Sequence, residues 1–163
     1  MKIKSLQFEL RLTATSYLGE KVKKAKISFI KQKGDYKSGV WGDANKKVPK
    51  IYILRQNKEI LYVGITKTLL SHRFGFGLNA SGKNGYHGYS WKALAKKSQS
   101  KAIDLFVYIF ADEIKTESIE AEVAYLIRNL KGRWPKYQTE IHFHQATKKE
   151  KQIAGTIYKQ ISK

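Results

Sequence analysis

The stretch KIYILRQNKEILYVGITKTLLSHR, running from Lys50 to Arg73, decides how this chain folds. Ile51 to Leu54 and Ile60 to Ile65 are short apolar runs separated by the polar residues Gln56-Asn57-Lys58. Apolar runs of this length around a brief polar break predict a β-hairpin. Thr66 or Thr68 is then placed to cap a helix carrying Leu69, Leu70 and Arg73. Tyr52 and Tyr62 fall on neighbouring strands, and Arg73 follows one helical segment later. Two phenols and a guanidinium so arranged can converge on a phosphate. Spacing alone favours an ordinary hairpin feeding a helix.

Outward on the N-terminal side, Leu6, Phe8, Leu10 and Leu12 alternate with polar residues, which predicts a half-buried strand. Ala25 to Ile30 is a second candidate strand, with a turn at Gly19-Glu20 between them. Gly34-Asp35 opens a loop to Asn45, in which Trp41 either stacks on a base or packs the loop down. On the C-terminal side, Phe74 to Ser90 holds five glycines among aromatic residues and reads as a long loop. Ser90 can cap a helix over Trp91 to Lys97, and Ile103 to Phe110 reads as a central strand covered on both faces.

Thr116 is placed to cap a helix whose apolar stripe is Ile119, Val123, Leu126, Ile127 and Leu130. Glu120 and Glu122 flank that stripe on opposite sides, and the 3.6-residue period does not choose between them. Gly132 to Pro135 stops this helix. Glu140 to His144 alternates like a strand, with His142 and His144 on one face, as a zinc pair or as structural or DNA-contacting residues. Thr147 to Glu150 is a capping box that opens a final helix to about Ser162.

Composition limits the possibilities. The 163 residues suffice for one core, and 42% hydrophobic content predicts a folded chain. A net charge of +19 predicts a polyanionic partner, nucleic acid before a membrane surface. With no cysteine, disulfides and thiolate metal sites are excluded. No apolar run reaches membrane-spanning length, and the N-terminus lacks the apolar core of a signal peptide, which makes the cytoplasm the simplest location. Positions 1–50 hold thirteen basic and four acidic residues, and positions 131–163 hold eight and two.

The order of these motifs resembles the GIY-YIG endonuclease family. Lys50-Ile51-Tyr52 stands where the family has Gly-Ile-Tyr, and Tyr62-Val63-Gly64 stands where it has Tyr-Ile-Gly. Arg73 matches the family's catalytic arginine, and His87 to Leu94 resembles its His, Ser and Leu segment. Glu122, ahead of Tyr125-Leu126, is similar to its metal-binding glutamate. The chain departs from the pattern at Lys50, in the position of Arg73, and at Ile65, for which Lys67 is the substitute. The family's asparagine after a proline has no direct counterpart in Pro135-Lys136-Tyr137-Gln138-Thr139.

The resemblance implies an α/β fold, a small and mostly antiparallel sheet flanked by helices. Chain length makes one domain over 1–163 the default: the resemblance covers a nuclease core at 49–144, between an N-terminal strand-rich extension at 1–48 and a C-terminal helix at 145–163. The resemblance further implies metal-dependent hydrolysis of DNA phosphodiesters. Arg73 would clamp the phosphate, and Glu122 would hold Mg²⁺ or another divalent cation such as Mn²⁺. Tyr52, before Tyr62, would act as general base, and His87 would orient water or touch the phosphate. A non-catalytic basic nucleic-acid-binding module is the alternative.

Overall fold

The computed structural model describes residues 3–34, 41–96, 101–111, 114–139 and 141–163. Five strands, β1 (Ile3–Leu18), β2 (Lys21–Gln32), β3 (Lys50–Gln56), β4 (Glu59–Thr66) and β5 (Ile103–Phe110), form one sheet in the order β2-β1-β5-β3-β4. Every neighbouring pair is antiparallel. Helices α1 (Leu70–Asn79), α2 (Thr116–Lys131) and α3 (Lys148–Ile161) complete the α/β architecture, with short 3₁₀ turns at Gly42–Asn45, Lys83–Gly85 and Ser90–Ala95. The N-terminal hairpin β1–β2 therefore extends the same sheet that carries β3 and β4. No described helix is long and apolar enough to cross a membrane.

Alternation sorts the strands' side chains onto two faces. Tyr52 and Leu54 of β3, Leu105 and Val107 of β5, and Phe8 and Leu10 of β1 pack beneath α1 and the Ser90–Ala95 turn. Ile51 and Ile53, with Phe106, Tyr108 and Phe110, pack beneath Ile119, Val123 and Ile127 of α2 and Ile153, Ile157 and Ile161 of α3. As its apolar run predicts, β5 is the middle strand and buried on both faces. Asp104 is its one charge, and it is paired with Arg55 at 3.0 Å and Lys33 at 2.6 Å.

The β3–β4 turn is made by Asn57 and Lys58 with φ of 50° and 64°, the left-handed pair a two-residue hairpin demands. The register shifts between Leu54 and Arg55, leaving Leu61 as an extra residue on β4. That bulge puts Leu61 and Tyr62 against the same cluster as Tyr52, so strict alternation fails at the start of β4.

Other expectations need correction. Helix α1 runs through Phe74–Asn79, in the segment expected to be loop. Gly77 belongs to the helix because it lies under the Tyr89 ring, where a Cβ would come within 2.2 Å of it. Neither Thr66 nor Thr68 caps α1, since Thr66 Oγ1 accepts from the Thr68 N–H; the Ser71 N–H finds Asn45 Oδ1 instead, at 2.9 Å. Thr116 is the first residue of α2 and gives no side-chain cap, and Ser90 begins a 3₁₀ turn. Residues 141–147 form no strand, and Glu140 lies outside the described residues. The segment before them satisfies the edge of β4: the Lys136 and Tyr137 N–H groups donate to Ile60 and Leu61 carbonyls. The capping box at Thr147 and Glu150 is formed as expected. Trp41 packs between Phe8 and Phe74, at 6.0 and 5.7 Å between ring centroids, which favours the packing role; residues 35–40 of its loop lie outside the described residues.

Candidate active site

Tyr52 is fully buried in the middle of β3. Its hydroxyl shares a 2.7 Å hydrogen bond with that of Tyr89, and its ring stacks near Tyr62 at 6.0 Å and 29°. Phe74 of α1 meets it edge-on at 5.2 Å. Burial, with Tyr89 and Tyr62 beside it, pushes the Tyr52 phenol well above its ordinary range, against the opposing pull of Arg73. Gly64 stands opposite Tyr52 in the register, and a Cβ there would lie 2.5 Å from the Tyr52 Cζ and hydroxyl. The glycine is what lets β4 pass beside the two tyrosines.

Lys50, two residues before Tyr52, is also fully buried. Its ammonium donates to the carbonyls of Lys46 at 2.6 Å and Thr68 at 2.8 Å, and burial lowers its pKa to about 8. It ties the entry of β3 to the loop that launches α1, and so helps fix where Arg73 projects. Half-buried Arg73 donates through Nη1 to the Tyr86 hydroxyl at 3.2 Å and lies over the Tyr89 ring at 5.3 Å. Burial opposes its charge, yet the phenolic oxygens of Tyr89, Tyr52 and Tyr86 hold the guanidinium protonated above its usual value.

These groups border two cavities that share a wall. The first, of about 210 Å³, is lined by Tyr52, Tyr62, Arg73, Glu120, Gln138 and His142 among others. The second, of about 370 Å³, meets Tyr62, Arg73 and Gln138 from the other side and reaches Tyr86, His87 and Tyr137. The structure thus brings Tyr52, Tyr62 and Arg73 together, as the sequence predicts, and sets His87 in the second cavity. Glu122 lines neither cavity; Glu120 occupies the first. The reason is rotational. With Ile119, Val123 and Ile127 directed at the sheet, the side of α2 that turns to the cavity is the one bearing Glu120, Ala121 and Ala124. Two small residues beside one of two competing glutamates are the sequence signal that selects it, because alanines leave room for a ligand.

Burial, reinforced by Glu117, pushes the Glu120 carboxyl up to about 7, with Arg73 opposing. The same burial, with the Glu120 charge, pushes Tyr62 up to about 12, again opposed by Arg73. Among the described residues Glu120 forms no ion pair and accepts no hydrogen bond, so its charge is poorly compensated. No group of three or more His, Cys, Asp or Glu residues suited to a metal comes together among the described residues. A lone carboxylate fits a hard cation such as Mg²⁺, which keeps most of its waters and takes further oxygens from a phosphate. It does not fit zinc, which needs three or four protein ligands.

Gln138 lies in the segment compared above with the family's asparagine, and its irregular backbone gives no periodicity from which to assign it a role. Its Oε1 accepts the Val63 N–H at 3.1 Å, which anchors it at the β4 edge and between both cavities. His142 reaches the first cavity from the segment expected to be a strand. Comparison with protein-family models, with curated proteins and with solved structures finds no match for this chain.

Proposed function

We propose that the chain is a metal-dependent DNA endonuclease with a GIY-YIG-type site, built on a five-stranded version of that family's small sheet. One observation carries the reading: Tyr52, Tyr62, Arg73 and Glu120 come from β3, β4, α1 and α2 and meet around a single cavity. Packing alone gives no reason for a partly buried carboxylate to share a cavity with a guanidinium and two phenols.

Hydrolysis of a phosphodiester needs an activated water, a counter-charge for the pentacoordinate phosphorus and help for the leaving oxygen. Arg73 is permanently charged, held by the Tyr86 hydroxyl, and directed where a phosphate would enter. A Mg²⁺ or Mn²⁺ ion on Glu120 would supply positive charge to a non-bridging oxygen. For the general base the geometry favours Tyr62 over Tyr52. The Tyr52 hydroxyl is buried and already bonded to Tyr89, whereas Tyr62 is half-exposed and borders both cavities. Arg73 partly offsets the burial and the Glu120 charge that hold Tyr62 protonated, and a metal on Glu120 would remove the second of these; Tyr52 stacks beside the ring. His87, in the second cavity, is placed to touch nucleic acid next to the reacting phosphate.

The test is a digest of supercoiled plasmid with Mg²⁺, with Mn²⁺ and with chelator. Wild-type protein should nick or cut only with metal. Arg73→Ala and Glu120→Gln should each slow cutting by about 10²-fold or more, while Glu122→Gln should leave it unchanged. Folded protein that binds DNA but cuts it with neither metal would establish the binding-module alternative. Loss of cutting in Glu122→Gln but not in Glu120→Gln would return the metal to Glu122.

A further inference from the structure

We propose that the second cavity receives an unpaired nucleobase next to the phosphate held by Arg73, so that the substrate presents an unpaired or extruded nucleotide at the cut. This rests on the nuclease reading. Arg73, Tyr62 and Gln138 form the partition between the two cavities. A phosphate on the first side therefore leaves its neighbouring nucleoside at the mouth of the second. That second space, about 370 Å³, is the larger one and falls within the range of small-molecule pockets, roughly 300–1,000 Å³.

Its walls suit a planar, polar-edged guest. Tyr86 and Tyr137 both line it, and both are held in place. The Tyr86 ring stacks on Phe76 at 5.1 Å and 14°, and its hydroxyl accepts from Arg73. The Tyr137 N–H is bonded to the Leu61 carbonyl at 2.8 Å along the β4 edge. The Ser90 and Thr139 hydroxyls, each both donor and acceptor, add polar groups that a base edge can use. The loop that carries Tyr86 is braced by Lys92, whose ammonium donates to the carbonyls of Ala80 at 3.2 Å and His87 at 3.0 Å. Gly88, at φ 72°, presses so close to α1 that a Cβ would fall 2.0 Å from the Gly77 carbonyl oxygen. A base stacked inside an intact duplex cannot enter such a recess, whereas an unpaired one is presented at little cost. The net charge of +19 supplies the attraction for the strand that carries it.

The experiment uses the full chain and single-stranded DNA carrying 5-iododeoxyuridine, irradiated in chelator so that no cutting occurs. The photocrosslink should map to Tyr86 or Tyr137. Tyr137→Leu should weaken binding of single-stranded DNA by about tenfold, as expected for loss of one base–aromatic stack, and leave perfect duplex unchanged. Tyr137→Phe, which keeps the ring, should bind like wild type. Crosslinks that map elsewhere, equal losses for duplex and single strand, or no binding of single-stranded DNA would overturn the proposal. Its fate is separable from that of the nuclease. Protein that crosslinks through these tyrosines but never cuts keeps the pocket and loses the nuclease, and protein that cuts without such a crosslink does the reverse.

Discussion

Across the sheet from Tyr52, the missing side chain of Gly64 is as informative as any that is present. Alanine there would drive a methyl group to 2.5 Å from a phenol that is itself fully buried and cannot retreat. Gly64→Ala should cost about 1–3 kcal/mol and remove activity with it. Gly75 on α1 is the control, because nothing lies within 4 Å of its Cβ position. Gly75→Ala should stabilise by about 0.5–1 kcal/mol through helix propensity, and equal effects in the two melts would refute the close-approach reading. Glu120 makes a second prediction, in pH. Burial pushes its carboxyl from the ordinary 4.5 up to about 7 in the folded chain. The folded state therefore binds this proton more tightly, and the stability it lends is full below pH 4.5 and lost as pH rises to 7. Removing the charge with Glu120→Gln should raise the melting temperature at pH 7 in chelator. The gain is on the order of 1 kcal/mol after solvent screening of a half-buried group, or roughly 2–4 °C. Melting curves of variant and wild type that stay parallel from pH 4.5 to 7 would count against it. Added Mn²⁺ should raise the wild-type curve alone.

Elements were legible wherever local pattern and tertiary packing agree. The β3–β4 hairpin, the doubly covered β5 and the α3 capping box all follow from residues close in sequence. Among the features that were not, three are decided by a distant group. Helix α1 continues through Gly75 and Gly77, two poor helix formers, because Gly77 must pass under Tyr89. Its N-terminus is capped from Asn45, across 26 positions of chain, where Thr66 and Thr68 looked adequate. Gln138 reaches the site only because its segment hydrogen-bonds to the β4 edge. On α2 the periodicity left Glu120 and Glu122 equivalent, and the tie was broken by which flank of the helix faces β4. The hairpin turn yields its own prediction. Lys58 sits at φ 64°, a left-handed conformation that favours glycine. Lys58→Gly would complete the Asn-Gly pair preferred in such turns and should stabilise by about 0.5–1 kcal/mol. An unfolding midpoint in urea that falls would show that the Lys58 side chain contributes more than its backbone costs.

At the scale of the molecule, charge is distributed around the site more than within it. The first cavity holds one carboxylate and one guanidinium, while exposed lysines crowd β2 and the first turns of α3. These two regions differ in their relation to the site. Only five residues separate His142, at the first cavity, from Lys148 at the start of α3. Strand β2 instead occupies the opposite edge of the sheet from β4, four strand spacings or roughly 19 Å away, and packs against α1. A strand that leaves Arg73 along the β4 edge, past His142, should lay its next phosphates along Lys148, Lys149 and Lys151 before it meets β2. Each phosphate neutralised contributes roughly −0.9 to the slope of log K against log salt, so replacing these three lysines with glutamine should flatten the slope by about 2–3. Affinity should fall alike for every sequence, since contacts to the backbone carry no base information. Cutting at saturating DNA should persist, because none of the three borders either cavity. The matching triple substitution at Lys21, Lys23 and Lys26 should change the slope less. If the β2 lysines move it more than those of α3, the nucleic acid crosses the sheet toward the N-terminal hairpin and leaves α3 to solvent.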